Sequence, residues 1–234
     1  MKDNSEVFIK MRDLNAYNSR MDFHTHTYWT DGENTISEMI NRAELNGLTR
    51  IAITDHIRRE SDYYTDYIES IRRNQQYTKV HVYCGFEAKI LNSLGDIDIP
   101  AMAYDEADIV VASVHRIPWG KNYISPKEIT YKELIDIELE LALSVINNKK
   151  VNVIGHSGGM SISVYGAFPE EYFERIVSEC EKQGVAFEFN YKYHSKYEKV
   201  LKELLYKYNP YVSLGSDAHN VDRLSNRSFY YEQA

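Results

Sequence analysis

The chain has 234 residues, 43% of them hydrophobic, and a formal net charge of −8. That length and apolar share suit a single domain with a sizeable core, and the acidic balance excludes a general attraction for nucleic acid. No apolar run approaches the roughly 20 residues that a membrane helix needs, and the polar opening MKDNSEVFIKMRDLNAYNSR has no signal-peptide core, so a cytoplasmic location is expected.

Residues 1–20 read as an N-terminal extension, whether tail, cap or dimer contact, ahead of one domain over 21–234. The first strand is expected over Met21–His24 and runs into His24-Thr25-His26, with Asp31 soon after. Thr35-x-x-Glu38 is a capping box opening a helix with Ile36, Met39, Ile40 and Ala43 on one face, stopped by Gly47. A strand over Arg50–Thr54 ends in Asp55-His56, and a further helix is expected over Asp62–Tyr77. The run Val80–Glu87 ends in Gly-Phe-Glu, and Asp108–Val114 ends at His115. Thr130-x-x-Glu133 opens the next helix, with Leu134, Ile137, Leu141 and Val145 inward. Val151–Gly155 ends at His156. A helix between Pro169 and Gly184 buries Phe173, Ile176, Val177 and Cys180, and Val185–Asn190 is the sixth strand. Ser195-x-x-Glu198 reads as a third capping box, for a helix carrying Val200, Leu201, Leu204 and Leu205, and Tyr211–Gly215 ends in Ser216-Asp217-Ala218-His219. Cys84 and Cys180 both sit in apolar settings and read as buried free thiols.

About seven strands alternating with helices predict an α/β fold, a doubly wound sheet or a barrel. Both build their sites at the carboxyl ends of strands. The ionisable residues fall at those ends: His24, His26, Asp31, His56, Glu87, His115, His156, Asp217 and His219. Residues two apart on a strand face the same side, so His24 and His26 can grip one ion, as can Asp217 and His219. Mixed imidazole and carboxylate donors suit zinc, manganese or iron, and nine of them exceed the needs of one tetrahedral ion. Two or three divalent ions sharing bridging groups are expected, with Glu87 as bridge. Singly, each piece has a plainer reading: Asp31 as a turn aspartate, Asp55 as a partner of the imidazole or a helix cap, the lone histidines as structural. Their joint placement favours a metal centre. His81 opens its strand far from those ends and reads as structural. His194 is left between pocket wall, loop and helix cap.

In order and spacing, H-T-H-T with Asp-Gly, I-T-D-H, G-F-E, A-S-V-H, I-G-H and G-S-D-A-H resemble the polymerase-and-histidinol-phosphatase (PHP) family over roughly residues 21–225. The resemblance implies a distorted, TIM-barrel-like (β/α)7 barrel, a PHP-type phosphoesterase domain and a trinuclear centre held by those nine residues. Gly85–Ile90 with Asp98-Ile99-Pro100 resembles the branch of small stand-alone phosphatases and polymerase-linked domains, whereas His156-Ser157-Gly158-Gly159 departs from the proline that the polymerase branch shows after that histidine.

The chemistry expected is attack on phosphorus by a metal-bound hydroxide, formed because the metal lowers the pKa of water toward about 7. Glu87, Asp217 and His219 are the candidate catalytic groups. Arg116 and Arg58, each close behind a ligand segment, are the candidate phosphate binders, with Lys89 and Lys192 as further cations. The Gly158-Gly159 turn offers a close backbone approach or is a plain loop. Small phosphomonoesters of the histidinol phosphate, sugar phosphate or nucleotide type are the expected substrates, with no membrane partner. The alternative is a PHP-type exonuclease or phosphodiesterase acting on nucleic-acid ends, for which Tyr63, Tyr64, Tyr67, Trp119 and Tyr123 offer stacking surfaces but no basic stripe exists.

Overall fold

The computed structural model describes residues 3–120, 122–225 and 229. Seven strands carry the architecture: β1 Met21–Asp22, β2 Arg50–Ile53, β3 His81–Lys89, β4 Ile109–Ser113, β5 Val153–Ile154, β6 Ala186–Asn190 and β7 Tyr211–Gly215. They pair in parallel in the order β7-β6-β5-β4-β3-β2-β1. The sheet curls until its edges meet. Phe23 N donates to Leu214 O at 2.7 Å, Asp217 N to His24 O at 2.9 Å and His26 N to Ala218 O at 2.9 Å. This seam closes the distorted (β/α)7 barrel expected from the sequence.

The helices are α1 Ile36–Leu45, α2 Tyr64–Gln75, α3 Ala101–Glu106, α4 Tyr131–Ile146, α5 Gly159–Tyr165, α6 Glu170–Gln183, α7 Tyr191–His194 and α8 Glu198–Tyr208. Thr35 and Thr130 form the two reciprocal capping boxes, and Gly184 ends α6 in the left-handed region at φ 70°. Each long helix turns an apolar stripe onto the strands. In α6, Phe173, Ile176, Val177 and Cys180 are all fully buried, and each large apolar side chain so placed contributes about 1.5–3 kcal/mol. Tyr67 of α2 reaches inward to accept from Asp55 N and donate to Ile53 O at 2.8 Å, which pins the helix to the end of β2.

One capping box does not form. Ser195 already has helical φ and ψ, and its hydroxyl donates to Tyr191 O, closing the preceding turn. The chain passes through a 3-10 turn at Ser195–Tyr197, and Tyr197 stands at the start of α8. β1 and β5 are also shorter than their apolar runs, so His24 and His156 lie just past hydrogen-bonded strand rather than on it.

Residues 3–20 cross the amino-terminal end of the barrel. Ile9 and Lys10 pair antiparallel with the start of β7, Phe8 and Met11 are buried, and Phe8 meets Phe23 edge-on with ring centres 5.7 Å apart. Asn4 donates to Asn152 O and Gly184 O, and Arg50 donates to Val7 O and Asn18 O. Among the described residues no helix is long and apolar enough to cross a membrane.

Candidate metal centre and active site

All nine proposed ligands converge at the carboxyl-terminal mouth. Glu87, 1% exposed at the end of β3, is the hub. Its Oε1 lies 3.1 Å from His24 Nε2 and 3.0 Å from both His115 Nε2 and His156 Nε2; its Oε2 lies 3.0 Å from His56 Nδ1 and 3.6 Å from His26 Nε2. A short strand at His56–Ile57 sets His56 directly opposite Glu87. Asp217 presents Oδ1 to His26 Nε2 at 3.3 Å, in a left-handed backbone with φ 54° that aspartate tolerates better than most residues. Asp31, half exposed at the rim, places Oδ2 3.2 Å from both His56 Nε2 and His219 Nε2. It therefore belongs to the histidine–carboxylate cluster as well as to a turn.

Three overlapping donor groups result: His26, Asp31, His56 and His219; His24, His26 and Glu87; and His56, Glu87 and His115. His156 adjoins them through Glu87 and stacks on His24, and Asp217 adjoins through His26.

Whether these residues suit cations is tested by their unmet valences. His24 Nε2, both ring nitrogens of His26 and Glu87 Oε2 are buried without a hydrogen bond of good geometry, although each has an oppositely charged or polar neighbour 3.0–3.7 Å away in the cluster. Four such polar atoms in one spot are costly unless something binds them, and mixed imidazole and carboxylate donors fit a divalent transition ion. The titration behaviour agrees. Burial pushes His26 down to about 4, the neutral form that ligates metal. Burial also works against charge on His56, but bonds to Asp31 and Glu87 lift it to about 10. Burial raises Glu87, yet the charges of His115 and His24 more than offset this and hold it well below the usual carboxylate range. At His24, His56, His156 and His219 the neighbouring carboxylates thus favour the protonated imidazole, which a cation would have to displace, whereas His26 is already neutral.

Residues behind the ligands fix their orientation. Glu188 of β6, fully buried, accepts from His24 Nδ1 at 2.8 Å and from His156 N, and Asn190 Nδ2 donates to it at 3.1 Å. That bond sets which face of His24 looks at Glu87. Gly215 makes room for it, because a Cβ there would stand 1.9 Å from Glu188 Oε1. The sequence reading missed Glu188. Its signal was a charged residue inside the apolar run Val185–Asn190, on the barrel-facing side of the two-residue alternation with Phe187 and Phe189.

Asp55 has neither of the roles offered for it. It accepts from Thr27 N at 2.9 Å, Thr27 Oγ1 at 2.8 Å and Thr30 Oγ1 at 2.7 Å, clamping the loop between His26 and Asp31. His194 is buried outside the ligand set. It accepts from Asn190 N and donates to Ser157 O, and burial lowers it to about 4. His81 is exposed at the start of β3, against Tyr83, as a structural residue would be.

The centre opens into a cleft of about 1000 Å³. Arg58 and Arg116 line it, neither in an ion pair with a described residue, and Arg116 lies over the Tyr123 ring at 5.4 Å. Lys89 lines it too but pairs with Asp98 at 2.9 Å. Lys192 reaches Asp217 Oδ2 at 2.6 Å from the opposite side to His26. Gly158, with φ 73°, turns the chain so that Gly159 lines the cleft beside His156.

A barrel with a histidine–carboxylate cluster at its carboxyl-terminal mouth, open to a cation-lined cleft, is the arrangement of a metal-dependent hydrolase. The chain belongs to the PHP domain family, whose model matches residues 22–192. A probable phosphatase of Caldicellulosiruptor saccharolyticus is 29% identical over 208 residues, covering 84% of this chain and 78% of that protein. The DNA polymerase/3'-5' exonuclease PolX of Bacillus subtilis is 26% identical over 215 residues, 88% of this chain but 35% of the longer protein. Among solved structures, the histidinol phosphate phosphatase of Lactococcus lactis, in complex with zinc, L-histidinol and phosphate, superposes with a TM-score of 0.67 at 20% identity, covering 86% of each chain. Family and site together make this chain a hydrolase of the phosphatase class with a divalent-metal centre.

Proposed function

We propose that the chain hydrolyses small phosphomonoesters with two or three zinc, manganese or iron ions held by His24, His26, Asp31, His56, Glu87, His115, His156, Asp217 and His219. The observation that carries this reading is Glu87, buried among five imidazoles and shared by two of the three overlapping donor groups at the base of an open cleft. When bound, the cations supply a nucleophile at neutral pH and positive charge for the phosphoryl oxygens. Glu87 is the shared ligand. Asp217 and His219 line the cleft, where ligation is their main role and one or the other assists the transfer of the proton that water releases. Arg116 and Arg58 bind phosphoryl oxygens in a two-pronged manner, and Lys192 keeps Asp217 Oδ2 occupied so that Oδ1 faces the centre. The substrate is a small phosphorylated molecule of the histidinol phosphate, sugar phosphate or nucleotide type, met in the cytoplasm.

The likeness to the polymerase–exonuclease and the exposed Trp119 and Tyr123 beside Arg116 favour a second reading, hydrolysis at nucleic-acid ends. A panel of phosphomonoesters and short single-stranded oligonucleotides decides between them, with elemental analysis of the same sample. Turnover of monoesters, lost on chelation and restored by manganese or zinc, is the expected result. Preference for oligonucleotides transfers the function to the second reading, and full activity in metal-free protein overturns both.

A further inference from the structure

The metal-facing side chains form one part of the cleft, and a second part is apolar. Strands β4 and β5 are hydrogen-bonded neighbours, with Val111 opposite Val153, so the segments that leave them stand side by side. The first contributes Val114 and Pro126 to the cleft, and the second contributes Met160 and Val164. The segments leaving β1 and β2 contribute mainly polar groups, among them Thr30, Arg58, Glu60 and Asp62, beside Ile57 and Tyr63.

The apolar sector has a foundation of its own. Ile117, Ile129 and Leu134 form a hydrophobic cluster distinct from the barrel core, and Val114, Met160 and Val164 pack against it. Helix α5, which carries Met160 and Val164, is pinned by a buried acid. Glu138 of α4, 2% exposed, accepts from Met160 N at 3.0 Å, from Ser161 N at 2.8 Å and from the Ser161 hydroxyl. Three donors offset the cost of burying that carboxylate, so the wall is held in place before any ligand arrives. Phosphate recognition does not use such a wall, because phosphate is bound by charge and hydrogen bonds.

We infer that Val114, Pro126, Met160 and Val164 form the subsite for the alcohol portion of the substrate. Among the substrate types proposed above, they select phosphomonoesters whose alcohol presents an aromatic or apolar face over those of polyols such as sugars. This rests on the phosphomonoesterase reading above. A preformed apolar wall gains free energy by taking an alkyl or aryl group out of water, whereas a polyol placed against it leaves hydroxyls unpaired.

The test compares kcat/KM for 2-phenylethyl phosphate and glycerol 3-phosphate in manganese-loaded protein. Comparing that ratio between wild type and variant cancels the intrinsic reactivity of the two esters. Met160→Ser is expected to lower the phenylethyl-to-glycerol ratio about 10-fold, chiefly through KM of the aryl ester. Ser163→Leu extends the wall at an exposed, cleft-lining position and is expected to raise it, which keeps the test decisive if Met160→Ser folds poorly. A ratio unmoved by Ser163→Leu in folded protein, or a wild type that prefers glycerol phosphate, overturns the subsite. If neither ester is hydrolysed, the phosphomonoesterase reading fails, and binding still judges the wall. Titration of 2-phenylethylphosphonate into protein with 13C-methyl methionine then shifts the Met160 methyl signal, assigned through Met160→Leu, or overturns the subsite by leaving it in place.

Discussion

The two ends of the barrel treat buried polar groups in opposite ways. At the amino-terminal end, Asn4 and Asn152 bond to each other and Arg50 spends its guanidinium on Val7 O and Asn18 O, beneath the buried rings of Phe8 and Phe23. At the carboxyl-terminal end, His24, His26 and Glu87 are just as buried but leave ring nitrogens and a carboxylate oxygen without a hydrogen bond of good geometry. Apart from the Ser19 hydroxyl, the first end pairs its buried polar side chains internally, whereas the second gathers its unpaired atoms in one cluster of metal-ligand types. The difference separates residues whose bonds hold the molecule shut from those proposed above to do chemistry.

That separation is open to direct attack. The largest effect is expected at Glu87. Glu87→Gln removes the shared ligand, worth several kcal/mol in the transition state, and so lowers kcat/KM about 1000-fold or more. Elemental analysis is expected to show reduced metal, and undiminished turnover would remove Glu87 from the centre. Glu188→Gln comes next. It keeps shape but weakens the grip on His24 Nδ1, and a loss of about 10- to 100-fold in metal affinity or activity is expected, read by competition with a calibrated chelator. Phe8→Ala is expected to have the smallest effect on turnover. It opens a cavity in the barrel floor and costs about 3–5 kcal/mol of stability in denaturant titration, while kcat per folded molecule and bound metal stay at wild-type values. A Phe8 variant that folds but loses metal would show that the two ends are coupled after all.

Much of this was legible in the sequence because strand ends and apolar runs are local signals. Buried parallel strands read as short apolar stretches, and an acid or histidine at or just past the close of all but the sixth marks the mouth of the barrel. Capping boxes at Thr35 and Thr130 are equally local and formed as expected. What escaped depends on partners distant in the chain. Glu188 looks like an interruption of a strand until His24, 164 residues away, is placed beside it. Asp55 reads as a neighbour of His56, yet it bonds back to Thr27 and Thr30 of the preceding loop. The Ser195 pattern failed for the converse reason: the spacing is right, but the four-residue helix α7 leads directly into it and leaves Ser195 in helical backbone rather than at a cap.

The seam between β1 and β7 has a consequence in time rather than in space. His24 and His26 come from the first barrel strand that a ribosome releases, and Asp217 and His219 from the last, joined across the seam by the bonds from Asp217 N and His26 N. A nascent chain can pair β1 through β6 and still lack two of the nine ligands. The nine candidate ligands are therefore together only once β7 has joined the seam, so closing the barrel and assembling the site are a single event.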